Sequence, residues 1–403
     1  MVFTPYKISL PTTVEPTKGF RANDRVVVKM PIEVATQTRE RSVRLNGILQ
    51  LIKLDGSNQE VPVEPKDKLF LSPQSGVSGV CRQITSYGRS QSGEVQLENI
   101  FEYGRWVGMK NEASHNSYWA TSGDSMLEVM NYENFNYQDG TAPDTKMNGC
   151  NLLFPPDAPY VNPENEVIQQ AEMPFSLDLD ICLNSANIPS SKFQEVSISI
   201  VFQDVAKCGL VSRSGVPTTF IYALKNLEVR YICDPETVKG PLTLQIKDNS
   251  FNGTVLNKIS ALEHSPSTTF HSIACSFLKQ GHDNANNNLI YDYLAREAIT
   301  EGVDYFELKI NGSSQMSPLK YPLRFRQTEH AMNYIMSLNE GSWSENSLSY
   351  PKLNGAVKIG YGLGAHLFQE LANNTRVQFN LALLSAPSDN YRAFFYVIGS
   401  LTV

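Results

Sequence analysis

Short segments in which apolar and polar residues alternate recur along the whole chain, in two successive sets. The clearest runs from Phe175 to Cys182, where Phe175, Leu177, Leu179 and Ile181 occupy every second position. Because successive side chains of a strand point to opposite faces, this period predicts strands with one buried face. It predicts further strands at 25–30, 42–53, 79–86, 94–100, 196–202, 220–233, 242–247, 268–278, 304–310, 319–325, 356–361, 376–384 and 393–401. We therefore expect an all-β fold.

The length of the chain and the position of its strand breaks predict two domains. A chain of 403 residues exceeds the roughly 250–300 residues at which a single hydrophobic core stops growing. Pro235 ends the first set of strands, and Pro241 precedes the next alternating run. Since proline interrupts regular structure, we expect one β-sandwich in residues 1–235 and a second in residues 236–403.

A long loop and two short helices are the other predicted elements. Residues 131–163 are rich in Asn, Pro and Gly, which predicts an extended loop of the size that usually contacts a partner. Ser122 can cap a helix within residues 106–130. The apolar spacing around Tyr334 predicts another helix, which stops before Gly341.

Charge and cysteine content bear on partners and compartment. The net charge is −7 and the pI about 5.5, without a basic stripe, so no direct tight nucleic-acid binding is expected. Six scattered cysteines without a CxxC pair predict buried free thiols, no zinc site and a reducing compartment. These are Cys81, Cys150, Cys182, Cys208, Cys233 and Cys275. Since residues 1–10 lack the features of a signal peptide, we expect a soluble, unsecreted chain in which the sequons at Asn252, Asn311 and Asn373 are chance matches.

No motif in the chain predicts a catalytic, cofactor-binding or metal-binding residue. None of the six histidines has a second histidine two to four residues later, as metal sites often do. The run from Gly88 to Gly93 lacks the spacing of a serine nucleophile motif and is interpreted as a hairpin turn. The run from Gly360 to Gly364 lacks dinucleotide-binding spacing and is interpreted as a flexible turn.

Two features keep a second function open, that of a glycan-binding or glycan-cleaving β-sandwich protein. Asp178 and Asp180 would lie on one strand face about 7 Å apart, in the range of the carboxylate pairs of glycosidases. Aromatic residues that look exposed could form a sugar platform or, as we favour, a protein interface. They are Tyr103, Trp106, Tyr118, Trp119, Tyr132, Phe135 and Tyr137.

Several segments resemble one protein family. Residues 25–31 followed by 41–47 look like the opening strands of a capsid domain, and 97–103 look like a later strand with the turn that leads into a helix. Residues 306–312 resemble the matching element of a second domain, and 390–397 a closing strand. In this layout the chain resembles the double jelly-roll major capsid proteins of icosahedral dsDNA viruses, the adenovirus-like lineage that also includes virophage and giant-virus capsids.

The resemblance implies two consecutive antiparallel eight-stranded jelly rolls with long loops and one or two short helices. It implies a non-enzymatic major capsid protein without cofactors, whose homotrimers form pseudo-hexameric capsomers of an icosahedral shell. Implied partners are other copies of the chain, minor capsid or vertex proteins and an internal membrane, in a virion assembled inside the host cell. A vertex or minor capsid protein, and a single jelly roll with a projection domain, remain as alternatives beside the glycan-related function.

Overall fold

The described part of the chain contains twenty-one strands and one α-helix in this computed structural model. The structure describes residues 5–61, 69–70, 75–114, 171–208, 211–212, 220–255, 258–259, 269–279, 303–314, 362–371, 377–383 and 391–403. The strands of the first half are β1 Tyr6–Ser9, β2 Arg25–Pro31, β3 Thr36–Thr38, β4 Arg44–Leu54, β5 Glu60–Val61, β6 Leu69–Phe70, β7 Cys81–Ser90, β8 Gly93–Phe101, β9 Ala171–Asp178, β10 Ile188–Pro189, β11 Glu195–Phe202, β12 Val211–Ser212 and β13 Phe220–Pro235. Those of the second half are β14 Thr243–Val255, β15 Lys258–Ile259, β16 Thr269–Lys279, β17 Val303–Ile310, β18 Ser313–Ser314, β19 Gly362–Leu371, β20 Val377–Leu383 and β21 Tyr391–Thr402. The helix α1 spans Tyr103–Ser114.

Both halves of the chain contribute four strands to one eight-stranded sheet. Its order is β19-β16-β21-β14-β8-β7-β11-β2. Neighbouring strands are antiparallel except β14 and β8, which run parallel and pair at Asp248 and Asn99. The contact between the two halves therefore lies in the middle of this sheet, and among the described strands β2 and β19 stand at its two ends.

A second sheet completes the first half as a β-sandwich. It has seven strands in the order β10-β3-β13-β4-β5, with β1 added to β13 and β9 added to β4. Alternate residues of β2, such as Val26, Val28 and Met30, are buried in the same cluster as Leu224 and Val229 of β13. Residues from both sheets thus share one core, as alternation with one apolar face requires.

The second half has a four-stranded sheet of its own, in the order β15-β20-β17-β18. Its strands in the shared sheet extend the core of the first half. Leu244 and Ile246 of β14, and Phe394 and Tyr396 of β21, belong to the same buried cluster as the first-half residues. The hydrophobic core therefore continues across the contact between the two halves.

Strand predictions are confirmed for most of the described residues. The strand expected over 42–53 begins at Arg44 and the one expected over 242–247 begins at Thr243, and three further predictions need correction. The strand expected from Gly79 begins at Cys81, because residues 76–80 form a 3-10 helix. The strand expected over Phe175–Cys182 ends at Asp178, and Cys182 begins another 3-10 helix. The flexible turn expected from Gly360 to Gly364 is wrong for residues 362–364, which begin β19 and pair with β16. There the ladder to the neighbouring strand overrides the low strand propensity of glycine.

Other predictions have mixed outcomes. The hairpin turn expected within Gly88–Gly93 is confirmed, between the end of β7 and the start of β8. Helix α1 overlaps the predicted window at 106–130 but begins earlier, at Tyr103. The buried free thiols are confirmed for Cys81, Cys182, Cys208, Cys233 and Cys275.

Several predicted elements lie outside the described residues, so they stay predictions. They are the loop at 131–163, the cap at Ser122, the helix around Tyr334, the strands at 319–325 and 356–361, and Cys150. The domain boundary at 235/236 and the count of eight strands in each roll also stay predictions.

Candidate functional site

The two candidate carboxylates do not lie on one strand. Asp178 is the last residue of β9 and is exposed. In the antiparallel ladder between β9 and β4, it lies opposite Arg44. Asp180 follows the end of the strand and contacts side chains from α1 and β14. We call the charged group formed by Glu98, Lys110, Asp180 and Lys247 the ionic junction, because it joins residues from both halves of the chain.

Asp180 is the centre of the ionic junction. Lys247 Nζ donates to its Oδ1 at 2.5 Å, and Oδ2 accepts from Lys110 Nζ at 3.0 Å and from Trp106 Nε1 at 2.7 Å. The Asp180 backbone N–H donates to Tyr103 Oη at 2.8 Å. Only 3% of the Lys247 side chain is exposed, against 25% for Asp180. Both carboxylate oxygens are thus engaged by cationic or neutral donors.

Opposite charges keep both partners of the Asp180–Lys247 pair ionised. Burial acts to raise the pKa of Asp180, but the charges of Lys110 and Lys247 outweigh it and hold that pKa well below its usual range. Burial acts to lower the pKa of Lys247, but Asp180 and Glu98 outweigh it and raise that pKa. A buried ion pair overcomes desolvation only when its charges are also well hydrogen-bonded, and these contacts meet that condition.

Glu98 of β8 connects the same two halves through backbone hydrogen bonds. Its side chain accepts from the Cys182 N–H at Oε1, at 2.7 Å, and from the Lys247 N–H at Oε2, at 3.0 Å. Glu98 is only 2% exposed, and burial raises its pKa to about 7 although the charge of Lys247 lowers it. Glu98 therefore titrates far closer to neutral pH than an ordinary carboxyl group.

Helix α1 carries further side chains against strands of the second half. The rings of Trp106 and Tyr396 lie 5.3 Å apart between centroids, and the Arg105 guanidinium lies 4.2 Å from the centroid of the Phe394 ring. Tyr396 Oη donates to the carbonyl of Glu102 at 3.1 Å. Tilted aromatic contacts and cation–π contacts of this kind each add to the burial energy of the rings. The helix thus attaches β21 to the first half.

Tyr103 and Trp106 are not exposed, which corrects the expectation that they belong to a sugar platform or an exposed interface. They are 0% and 1% exposed. Their polar atoms are used internally, since both contact Asp180. The other five aromatic candidates, Tyr118, Trp119, Tyr132, Phe135 and Tyr137, lie outside the described residues.

Sequence reasoning missed Lys247, Glu98 and Arg105. Lys247 and Glu98 occupy polar positions of predicted strands, which the alternation pattern assigns to solvent, and Arg105 lies one residue before the predicted helix window at 106–130. One local signal was available, because Trp106 and Lys110 are four residues apart and so lie on one side of a helix. Both donate to Asp180.

The described residues contain neither a group of side chains suited to a metal ion nor a helix suited to span a membrane. No group of three His, Cys, Asp or Glu within them could hold a metal ion. His271 lies in β16 and His366 in β19, and the other four histidines lie outside the described residues. No helix among the described residues has the length and apolar character needed to span a bilayer.

Comparisons with known proteins give matches of fold alone. No protein-family profile and no curated protein sequence matches the chain. The Faustovirus major capsid protein matches with a TM-score of 0.58 at 8% identity, over 99% of this chain and 89% of that chain. A chain of the Sputnik virophage matches with a TM-score of 0.55 at 9% identity, over 100% of this chain and 87% of that chain. Both are double jelly-roll proteins. Together with the two sets of antiparallel strands described above, these matches show that the chain has the double jelly-roll fold.

Proposed function

We propose that the chain is a major capsid protein, a structural subunit of an icosahedral viral shell. The observation that carries the proposal is a double jelly-roll fold matched over almost the whole chain to the Faustovirus major capsid protein. Jelly rolls are rigid antiparallel sandwiches with few free strand edges, so they suit subunits that must assemble with fixed geometry.

The ionic junction supports this function because a shell subunit has to hold its two rolls in a fixed orientation. Lys247 of β14 is bound by Asp180 of the first half through its side chain and by Glu98 through its backbone N–H. Trp106 and Arg105 of α1 pack on β21. Bending the shared sheet at its centre would expose these buried charges and rings, at a high cost in free energy.

The assembly that we propose is a homotrimer that forms a pseudo-hexameric capsomer. Residues 1–235 form the first roll and residues 236–403 the second, so three copies place six rolls in a closed ring. Within the virion, the capsomer contacts other capsomers, minor capsid or vertex proteins, and an internal membrane. The net charge of −7 suits a shell that does not bind its genome tightly.

The proposed role is non-enzymatic and uses no cofactor. A glycosidase nucleophile must present a carboxylate oxygen to the substrate, whereas both oxygens of Asp180 accept hydrogen bonds from Trp106, Lys110 and Lys247. Since Tyr103 and Trp106 are buried as well, no observation in the described residues favours the glycan-related alternative.

Light scattering on a sizing column, with negative-stain images of the peak, tests the proposal. We expect a mass three times the 45.0 kDa of the chain and hexagonal outlines. Five-fold particles would assign the chain to a vertex instead. A protein that stays monomeric up to the concentrations found in infected cells would contradict the capsid function.

A further inference from the structure

The connection between the two halves, residues 236–242, is held at both of its ends. It follows β13, which ends at Pro235, and leads into β14, which begins at Thr243. At its start, the N–H of Glu236 donates to the Ala35 carbonyl at 2.9 Å. At its end, Leu242 and Val403 exchange two backbone hydrogen bonds, at 3.1 and 2.8 Å. The first residue is thus bound to the first half and the last residue to the second half.

Gln37 of β3 binds the two residues that follow Glu236. Its Oε1 accepts from the N–H of Thr237 at 2.9 Å and from the N–H of Val238 at 3.1 Å. Its Nε2 donates to Thr237 Oγ1 at 3.1 Å. Gln37 is only 4% exposed, and a buried amide needs partners for both its oxygen and its nitrogen. The connection between the halves supplies partners for both.

Glu236 fastens the start of the same segment to a second loop. Its Oε2 accepts from Ser190 Oγ at 2.8 Å, and its Oε1 accepts from Ser191 Oγ at 2.6 Å. These hydrogen bonds lower the pKa of Glu236 below its ordinary value. Ser190 Oγ also accepts from the N–H of Ala35 at 3.0 Å. Ala35 has a φ of +63°, which residues other than glycine seldom adopt and which persists where surrounding contacts impose it.

The three residues that complete the connection before Leu242 are held by no such contact. Within the described structure, Lys239, Gly240 and Pro241 are exposed and make no hydrogen bond. Gly240 has a φ of +106°, and no atom lies within 4 Å of a Cβ built on it. Glycine adopts such a φ without steric cost. The backbone can therefore change direction at these three residues without losing a contact.

We propose that Gln37 and Glu236 are positioning residues that clamp the connection to the first half, so that it can bend or be cut only at Lys239–Pro241. We call these two residues, with Ser190 and Ser191, the linker clamp. While the linker clamp is closed, the free span is three residues, or about 10 Å when extended. Its opening would free residues 236–238 as well and double that span. This inference concerns one chain and does not depend on the capsid function.

Lys239 makes the state of the linker clamp measurable, because trypsin cleaves after lysine. A protease binds several residues on both sides of the cleaved bond, so it cuts a folded protein through local opening. We expect the full chain to resist cleavage after Lys239 under native conditions. We expect Gln37→Met to be cut at least about tenfold faster, because it removes the acceptor of two backbone N–H groups and one hydrogen bond changes an equilibrium by roughly two- to tenfold.

Two controls separate opening of the linker clamp from general unfolding. Gln83→Met is the matched variant, because Gln83 is also a strand glutamine but donates to Asn99 Oδ1, at 2.7 Å. We expect it to be cut after Lys239 at the wild-type rate. Cleavage after Arg41, whose side chain is 84% exposed, reports general unfolding in the same digest. A parallel rise after Arg41 in Gln37→Met would overturn the role of Gln37.

Glu236 allows a second test that leaves every strand unchanged, because it follows the end of β13. Glu236→Ala removes both hydroxyl contacts, so we expect faster cleavage after Lys239. Glu236→Gln keeps an acceptor oxygen, and we expect it to remain close to the wild type. Equal cleavage rates in the wild type, Glu236→Ala and Gln37→Met would overturn the inference, as would rapid cleavage of the wild type.

Amide hydrogen exchange measures the linker clamp without a protease. We expect the N–H groups of Thr237 and Val238 to exchange slowly in the full chain and at least about tenfold faster in Gln37→Met. Rapid exchange of both groups in the wild type would show that no clamp forms. These measurements need no assembled particle. A monomeric wild type would therefore contradict the capsid function, whereas only cleavage and exchange rates decide this inference.

Discussion

Replacing Lys247 by methionine tests whether the ionic junction stabilises the contact between the two rolls. Methionine keeps most of the apolar stem of the side chain and removes the charge of Nζ, which lies 6.0 Å from the centroid of the Trp106 ring. Removing one partner of a buried ion pair costs about 3–5 kcal/mol. Asp180 keeps its hydrogen bonds from Lys110 and Trp106 and is 25% exposed, so we expect a lower loss, of about 2–3 kcal/mol.

This loss can be measured as a free energy of unfolding in urea, or as a melting temperature. With an unfolding entropy of about 2.1 cal/mol/K per residue and 403 residues, the loss corresponds to roughly 3 °C if the chain unfolds in one step. Lys29→Met is the matched control, because Lys29 is also a strand lysine, 3.8 Å from Glu195, but its side chain is 47% exposed. We expect the control to change stability by less than about 0.5 kcal/mol.

Equal stabilities of the two variants would refute the argument that the buried charge holds the halves together. A double-mutant cycle with Asp180→Asn isolates the pair itself. If Lys247 and Asp180 act together, Lys247→Met should cost clearly less in the Asp180→Asn background than in the wild type. Additive losses would mean that Lys247 stabilises the protein independently of Asp180.

Three further predictions follow from single contacts. The pKa of Glu98 is raised from 4.5 to about 7, so the folded protein binds the proton of this carboxyl group more tightly than the unfolded protein does. The stability that Glu98 contributes is therefore present below about pH 4.5 and is lost as the pH rises through 7. Melting temperatures between pH 5 and 8 should therefore fall more steeply in the wild type than in Glu98→Gln, and parallel slopes would contradict this. A Cβ at Gly88 would lie 2.5 Å from the Phe193 ring, so Gly88→Ala should cost about 1–3 kcal/mol in urea unfolding, whereas Gly56→Ala, with no atom within 4 Å of its Cβ, should be near neutral. Burial raises the pKa of Cys81 to about 12, so a thiol reagent at pH 8 should label it only after denaturation, and rapid labelling of the native protein would show that this thiol is accessible.

The strands that could be predicted are those in which apolar and polar residues alternate regularly, so that one face is buried. Strand β11 was expected at Val196–Phe202 and spans Glu195–Phe202, because its apolar residues alternate throughout. Strand β14 was expected to end at Lys247 but continues to Val255. Its last residues do not alternate, and they extend the strand because they pair with β21 up to Tyr391. Such pairing depends on a partner more than a hundred residues away, which a local pattern does not contain.

The ionic junction shows the same limit for the candidate site. The sequence draws attention to Asp180 only as one of two carboxylates with glycosidase-like spacing, whereas its partners in the structure, Lys110 and Lys247, are 70 and 67 residues away. Between the two halves, the described strands β8 and β14 pair only at Asn99 and Asp248, so backbone hydrogen bonds contribute little to their relative position. Side chains must supply the rest, and a buried charge specifies a unique partner more strictly than an apolar contact does. Alternation can thus predict two rolls and apolar residues, such as Leu244 and Ile246, that share a core with the first half, whereas it assigns to solvent the charged residues that also connect the two halves.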